Sequence, residues 1–244
     1  MPRSQGFDDQ RLVRDIRRRP DADVPPDRWP ATIPAVASVL ESGLQLAAGV
    51  TFLVGENGSG KSTLVEAVAA AYGLGPEGGT VHSAHSTHHT ESPLSNWITL
   101  ARQPGAPKWG FFLRAETMHG YYTFQDQLGG GRNFHAMSHG ESFLALADTY
   151  LNTRGFYCLD EPEAALSFSS TLALIGVLND LAANGSQILC ATHSPVLASL
   201  PGATIYETGA HGIARREWDD LDLVTNWRSY LNEPRRYLRH ILAP

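Results

Sequence analysis

The most informative stretch of this sequence is Gly55-Glu56-Asn57-Gly58-Ser59-Gly60-Lys61-Ser62, which is followed by Thr63. It fits the pattern G-x-x-x-x-G-K-[ST] of loops that bind nucleoside triphosphates. Glycines at these positions let successive backbone N–H groups curl around a phosphate without Cβ clashes. The pattern predicts that Lys61 reaches the β- and γ-phosphates and that the Ser62 hydroxyl ligates Mg²⁺. The predicted nucleotide-binding residues are Gly55, Asn57, Gly58, Ser59, Gly60, Lys61, Ser62 and Thr63.

The residues on either side of this phosphate loop, Gly55–Ser62, predict the elements that it connects. Val50–Val54 is an apolar run directly before the first glycine, which is typical of a buried parallel strand. Residues 61–72 carry apolar side chains at helical spacing and end at Gly73, a typical residue just past a helix. The N-terminus of such a helix presents about half a positive charge to a bound phosphate. We therefore expect a strand, a phosphate loop and a helix in succession.

Two further strand ends carry candidate catalytic side chains. Residues 156–159 form an apolar run that ends in Asp160 and Glu161. Asp160 is predicted to hold Mg²⁺ and Glu161 to polarise the attacking water, although acids at strand ends also serve as helix N-caps. Residues 187–191 lead into His193, whose imidazole would contact the γ-phosphate, because open α/β sheets bind ligands at the carboxyl ends of their strands.

Along the whole chain, predicted strands alternate with predicted helices. This alternation predicts an α/β fold with a mostly parallel sheet and helices on both faces. Residues 73–108 are polar and rich in Gly, Pro, His and Ser, and they predict a long surface excursion. Further strands are predicted at 11–19, 111–113, 188–191, 203–207 and 213–217, with helices at 142–151 and 164–183.

The composition restricts the possible functions. The chain has 244 residues, of which 42% are hydrophobic, and this is enough for a buried core. A net charge of −6 argues against nucleic-acid binding by the overall field, because such binding requires phosphates to be neutralised. Arginine runs near both ends leave local contacts with nucleic acid open, and solvated faces are the alternative interpretation of these runs.

No apolar run reaches the ~18 residues of a membrane span, and the charged N-terminus predicts a cytoplasmic protein. Cys158 and Cys190 lie in apolar runs and are expected to be reduced.

Met137-Ser138-His139-Gly140-Glu141 resembles the Leu-Ser-Gly-Gly-Gln signature of ATP-binding cassette proteins. Its chemistry is that of a second anion site, formed by the Ser138 hydroxyl, the backbone around Gly140 and a helix N-terminus. In cassette proteins this site faces the γ-phosphate bound to the other subunit. The resemblance implies that Ser138, His139, Gly140 and Glu141 act in trans.

The chain resembles, over roughly residues 11–242, stand-alone ATPases of the AAA-15/AAA-21-like group, which are related to chromosome-maintenance, RecF-like and OLD-like ATPases. The strings that carry this resemblance are GENGSGKSTL, FFLRAE, SHGESFLAL, LDEPEAALS, ATHSPVLA, PGATIYE and RYLRHIL. It implies a P-loop NTPase fold with a single ABC-type ATPase domain over residues 1–244. The expected domain has a mostly parallel central sheet, an antiparallel N-terminal portion and a short helical lid at about residues 117–152.

The resemblance also implies an activity, which is hydrolysis of ATP to ADP and phosphate with ATP and Mg²⁺ bound between two copies of the chain. Glu161 would be the catalytic base, His193 the switch, and Ser62 and Asp160 the metal ligands. The ATP cycle would act as a switch for a protein effector in DNA maintenance or defence. The alternative is a detached nucleotide-binding subunit of an ABC transporter; a kinase conflicts with the acid pair.

Several positions depart from the cassette pattern or leave alternatives open. Glu116 stands near the place of the usual Mg²⁺-contacting glutamine and either substitutes for it or marks a lost role. Trp29 either stacks on adenine or packs under a Pro-rich segment. The loop histidines are read as a solvated loop or, alternatively, as metal ligands. These histidines are His82, His85, His88 and His89.

Overall fold

The computed structural model describes residues 11–75, 79–80, 92–114, 147, 149–164, 166–239 and 241–242. The strands are β1 (Val13–Arg18), β2 (Leu44–Gln45), β3 (Gly49–Gly55), β4 (Gly79–Thr80), β5 (Ile98–Arg102), β6 (Gly110–Arg114), β7 (Phe156–Asp160), β8 (Gln187–Thr192), β9 (Thr204–Gly209) and β10 (Gly212–Arg216). The helices are α1 (Pro34–Ser42), α2 (Lys61–Tyr72), α3 (Leu94–Trp97), α4 (Phe168–Ala183), α5 (Asp222–Asn232) and α6 (Pro234–Leu238), with 3₁₀ turns at Leu197–Ser199 and Trp218–Asp220.

The described strands form two sheets. The larger has seven strands in the order β10-β9-β3-β8-β7-β6-β4. The five central strands, from β9 to β6, pair in parallel, whereas β10 and β4 pair antiparallel at the edges. The smaller sheet is antiparallel, in the order β2-β1-β5. The predicted α/β fold, with its mostly parallel sheet and antiparallel N-terminal portion, is confirmed.

The large sheet separates two apolar cores, because successive side chains of a strand point to opposite faces. Phe52 and Leu53 of β3, for example, belong to different cores. One core packs α1, α2 and the small sheet against the large one. The other is covered by α4 and by residues 197–224. The central strands are buried on both faces, which is why they read as continuous apolar runs in the sequence.

Both cysteines are buried free thiols, as predicted. They lie on neighbouring strands, where Cys158 is opposite Leu189 and Cys190 is opposite Leu159. Since this register is offset by one residue, the two side chains enter different cores. The sheet itself therefore keeps the two sulfur atoms apart.

One prediction about the fold is wrong. Residues 73–108 do not form a single surface excursion, because Leu94 and Ile98 are fully buried and β5 pairs with β1 over its length. This strand has only five residues, so its apolar pattern is too short to stand out in the sequence. The loop histidines His82, His85, His88 and His89 lie outside the described residues.

A glutamine links the small sheet to the large one. Gln187, at the start of β8, is 1% exposed and holds Val13 of β1 from both sides. Its Oε1 accepts from the Val13 N–H at 2.8 Å, while its Nε2 donates to the Val13 and Ala47 carbonyls, each at 2.8 Å. The buried N–H and carbonyl of Val13, the first residue of β1, are thus paired by a side chain of the large sheet.

The other predicted elements lie close to their expected positions. The helix expected at 164–183 begins later, at Phe168, because Ser167 caps it by accepting a hydrogen bond from the Ser170 N–H at 3.2 Å. The expected lid at about 117–152 and the helix at 142–151 lie mostly outside the described residues. In the part of the chain that is described, no helix is both long and apolar enough to cross a membrane.

Candidate functional site

The phosphate loop connects the carboxyl end of β3 to the N-terminus of α2. Gly60 is the N-cap of α2 with φ 98°, and Gly58 has φ 78°, so both use left-handed backbone that favours glycine. A Cβ at Gly60 would lie 2.7 Å from the Ile33 side chain. No side chain caps α2, and its first N–H groups are therefore available to an anion.

Strand β9 braces the loop from the side. The hydroxyl groups of Ser59 and Thr208 lie 2.7 Å apart, and Thr208 also donates to the Val54 carbonyl at 3.2 Å. A Cβ at Gly55 would lie 2.3 Å from the Thr208 carbonyl oxygen, so only glycine fits there. Sequence reasoning missed Thr208, because its partners are about 150 residues away along the chain.

Lys61 is the charged centre of the site. Its side chain is buried, and its Nζ donates to the Glu56 carbonyl at 3.0 Å. Burial lowers the pKa of Lys61, and the nearby carboxylates, Glu161 and Asp160 foremost, oppose this by favouring its charged form. An ammonium group held in this way has little water to lose when it meets a phosphate.

The acid pair follows β7 directly. Asp160 is the last residue of the strand and is buried. Its Oδ2 lies 3.8 Å from Nε of Arg114, whose Nη2 lies 3.0 Å from Oε1 of Glu66. Glu66 is one helical turn beyond Ser62 on α2, so the two share a helix face. Arg114 therefore links that face of α2 to the strand end that carries Asp160.

Glu161 begins a turn with unusual backbone geometry. It has φ 48°, a left-handed conformation that is uncommon for a residue other than glycine. Its N–H donates to the Ala191 carbonyl at 3.0 Å, which ties the turn to β8. From this turn the Glu161 side chain reaches His193.

The structure brings Glu161 and His193 together. Nε2 of His193 lies 2.8 Å from Oε1 of Glu161, although the two residues are separated along the chain by α4 and β8. The backbone N–H of His193 donates at 2.8 Å to Oε1 of Glu163, a contact that sequence reasoning missed. The two candidate hydrolytic side chains therefore meet where two parallel strands end.

Two cavities adjoin at the phosphate loop. The larger, about 870 Å³, is lined on one side by Gly55–Ser59, Glu161 and His193, and on the other by β9, the following turn and α5. The smaller, about 330 Å³, is lined by Trp29, Ile33, Lys61–Thr63 and Glu161. Trp29 is 55% exposed, so its ring is a wall of this cavity rather than part of the core. An exposed ring of this kind does not fit the packing alternative for Trp29.

The oxygen atoms near the loop suit Mg²⁺. The Ser62 hydroxyl and the Asp160 carboxylate are hard donors, and Mg²⁺ is usually held by one or two protein oxygens together with substrate phosphates. No group of three or more His, Cys, Asp or Glu side chains that could hold a metal occurs among the residues described. The Ser62 hydroxyl and the Asp160 carboxylate are the residues present that fit such a metal.

Five predicted site residues belong to parts of the chain other than those described. The segment that resembles a cassette signature and the candidate substitute for the metal-contacting glutamine lie outside the described residues. These residues are Ser138, His139, Gly140, Glu141 and Glu116.

Two families match parts of the chain. The family described as "AAA domain, putative AbiEii toxin, Type IV TA system" matches residues 87–199, and the one described as "AAA domain" matches residues 36–96. Over 195 residues the chain is 32% identical to the cytochrome c biogenesis ATP-binding export protein CcmA of Rhizobium etli. This alignment covers 71% of this chain and 88% of that protein. Over 202 residues the chain is 30% identical to the ribose import ATP-binding protein RbsA of Roseobacter denitrificans. That alignment covers 70% of this chain and 39% of that protein.

Solved structures show a weaker likeness. The SMC head domain from Thermotoga maritima aligns with a TM-score of 0.44 and 16% sequence identity, over 72% of this chain and 93% of that chain.

Proposed function

The chain belongs to the ATP-binding cassette type of ATPases and hydrolyses ATP, and on that premise we propose that Glu161 and His193 perform the hydrolysis. The observation that carries this proposal is their 2.8 Å contact, because both side chains line the same cavity as the phosphate loop. A general base must lie within hydrogen-bond reach of the water that it activates, and this cavity offers that reach.

The nucleotide would lie across the two cavities. The backbone N–H groups of Gly58–Gly60, the N-terminus of α2 and the Lys61 ammonium would bind the phosphates. The Trp29 ring would stack on the adenine, which the 330 Å³ cavity between Trp29 and Lys61–Thr63 supports. Ser62 and Asp160 would hold Mg²⁺, which when bound neutralises charge on the β- and γ-phosphate oxygens.

The reaction would then be an attack of water on the γ-phosphorus. Glu161 takes the proton of the water as its oxygen bonds to phosphorus, and the bond to the β–γ bridging oxygen breaks to release ADP. His193 orients the water and a γ-phosphate oxygen through its imidazole. Lys61 stabilises the charge that gathers on the leaving side of the transition state.

We also propose that two copies close on two nucleotides. Residues 137–141, which resemble the cassette signature, support this, since such a segment binds the phosphate held by the other copy. A partner that covers the 870 Å³ cavity would exclude bulk water from Glu161 and strengthen the electrostatic interactions inside. The single domain over 1–244 and its lid remain predictions.

Two biological roles are proposed, the first of which is a cytoplasmic switch for a partner in DNA maintenance or defence. The string Glu-Pro-Glu-Ala-Ala-Leu at 161–166 supports it, as does Arg-Ala-Glu at 114–116, which stands where a cassette protein usually has its Mg²⁺-contacting glutamine. The second is a detached nucleotide-binding subunit of a transporter, and the identity to CcmA and RbsA supports it. Stimulation of ATP hydrolysis by DNA would favour the first role, and co-purification with a membrane protein the second.

The direct test of the catalytic assignment is Glu161→Gln. Loss of a general base lowers turnover by roughly 10²–10⁴-fold, while binding of ATP is retained because no phosphate-binding group is removed. Phosphate release and ATP affinity are measured together, with the exposed Glu41→Gln as the matched control. A Glu161→Gln protein that releases phosphate at the unmodified rate would show that Glu161 is not the base.

A further inference from the structure

Glu163 joins the two turns that carry Glu161 and His193. Its Oε1 accepts hydrogen bonds from the N–H of His193 at 2.8 Å, from the N–H of Ser194 at 3.1 Å and from the Thr192 hydroxyl. Both N–H groups lie past the end of β8 and have no partner in its ladder. Because they belong to the two peptide groups that flank the His193 Cα, one carboxylate oxygen fixes the backbone on both sides of the imidazole.

A second link closes the arrangement. The Glu161 N–H donates to the Ala191 carbonyl, and the Glu163 carboxylate accepts from residues 192–194. The turn after β7 is therefore hydrogen-bonded both to the end of β8 and to the turn that follows β8. Pro162, between the two acids, is buried. Left-handed backbone at a residue such as Glu161 persists only where the surroundings hold it. The 2.8 Å separation of the Glu161 and His193 side chains is therefore set by the backbone of both turns.

The charge of Glu163 adds to this geometry. Hydrogen bonds to an ionised carboxylate are shorter and stronger than those to a neutral amide. Its second oxygen, Oε2, is buried and accepts no hydrogen bond from the residues described. The carboxylate also acts on Lys61 through space, since it is one of the groups that favour the charged form of that lysine. A glutamine at this position would keep the acceptor and lose the charge.

Resting on the roles proposed for Glu161 and His193, we propose that Glu163 is a positioning residue for hydrolysis. Its side chain lines neither of the two cavities at the phosphate loop, and it acts by holding the His193 backbone so that the imidazole meets the Glu161 carboxylate. The function of the second acid in Glu161-Pro162-Glu163 is thus to couple the general base to the γ-phosphate sensor. Displacing reacting groups by 1 Å costs about 10²-fold in rate, which sets the expected effect of removing the carboxylate.

The first test compares Glu163→Ala, Glu163→Gln and the exposed control Glu41→Ala in steady-state ATP hydrolysis. We expect Glu163→Ala to lower kcat about 10²-fold with KM changed by less than about threefold, since no side chain proposed to contact the phosphates is replaced. Glu163→Gln keeps the acceptor and recovers to within about tenfold of the unmodified kcat. An unmodified kcat for Glu163→Ala would overturn the proposal, as would a loss confined to KM.

The second test is a double-mutant cycle with His193→Ala. If Glu163 acts through His193, then replacing Glu163 by Ala or Gln in the His193→Ala background changes kcat by less than about twofold. A loss equal to that seen in the unmodified background would mean that Glu163 acts independently of His193, which overturns the proposal. Should Glu163→Ala fail to fold, the glutamine variant carries the same cycle.

The same assay separates this inference from the proposed function. Glu161→Gln and His193→Ala are measured in parallel with the Glu163 variants. If those two variants hydrolyse ATP at the unmodified rate, the proposed catalytic roles fail and this inference with them. If both are inactive while Glu163→Ala is unaffected, the inference alone fails.

Discussion

Replacing Gln187 by Leu tests how much its hydrogen bonds between the two sheets stabilise the protein. The substitution keeps the size of a fully buried side chain but removes three hydrogen bonds of 2.8 Å. The Val13 N–H and carbonyl are then left unpaired, and Val13 is 0% exposed. The Ala47 carbonyl belongs to a partly exposed residue and can bond to water instead.

The size of the effect follows from these groups. Leaving a buried donor or acceptor unsatisfied costs about 1–3 kcal/mol, so the two Val13 groups predict a loss of about 2–6 kcal/mol in the free energy of unfolding. Since a protein of this kind is stable by only about 5–15 kcal/mol, this loss is a large fraction of the total. It corresponds to a fall in Tm on the order of 5–20 °C.

The assay is urea unfolding followed by circular dichroism, with Gln45→Leu as the matched control. Gln45 lies on β2 with an exposed side chain, so its replacement should change stability by no more than about 0.5 kcal/mol. For Gln187→Leu we expect a lower urea midpoint with an unchanged m-value. A midpoint equal to that of the Gln45 control would refute the argument that Gln187 holds β1 against the large sheet.

Three further predictions concern the nucleotide site and the thiols. Trp29→Ala should weaken ATP binding by roughly 5–150-fold, because stacking of a base on an aromatic ring is worth about 1–3 kcal/mol; calorimetry measures this, and an unchanged Kd would exclude stacking. ATP affinity should fall as the pH rises through the pKa of Lys61, which burial places below its ordinary 10.5, since the ammonium loses its charge there. Lys61→Met should bind ATP more weakly and lack this fall, and a fall of the same size in both proteins would assign it to another group. Burial raises the pKa of Cys158 and of Cys190, so a thiol reagent should label neither in the native protein and both in denaturant; fast native labelling would contradict the buried placement.

The sequence was sufficient for the parts of this protein whose signals are local. The phosphate loop between Val50–Val54 and the helix at 61–72 could be predicted because its glycines, lysine and serine are consecutive. The central strands could be predicted because a strand that is buried on both faces must be apolar throughout. Local patterns of this kind need no knowledge of the partner elements.

Features that depend on distant partners could not be predicted. Gln187 is a polar residue at the start of an apolar strand, and its partner Val13 is 174 residues away along the chain. Thr208 and Ser59 meet only because β9 pairs with β3. Strand β5 was missed because its pattern is short, although Ile98 and Leu100 lie on either side of Thr99 and both pack into the core that contains α2.

The catalytic geometry falls between these cases. The motif Glu161-Pro162-Glu163 and the histidine after β8 are visible in the sequence, and parallel strands predict that their ends are close. The left-handed turn at Glu161 and the acceptor role of Glu163 are not visible, because they arise from how the two turns close on each other.

The most direct test of the central claim is light scattering of Glu161→Gln with MgATP. We expect that ATP binds, is not hydrolysed and holds two copies together, so the mass doubles from the 26.5 kDa of a single chain. Adding Lys61→Ala should abolish the doubling, because the phosphates are no longer held. A Glu161→Gln protein that binds ATP yet stays at 26.5 kDa would contradict the ATP-bound dimer.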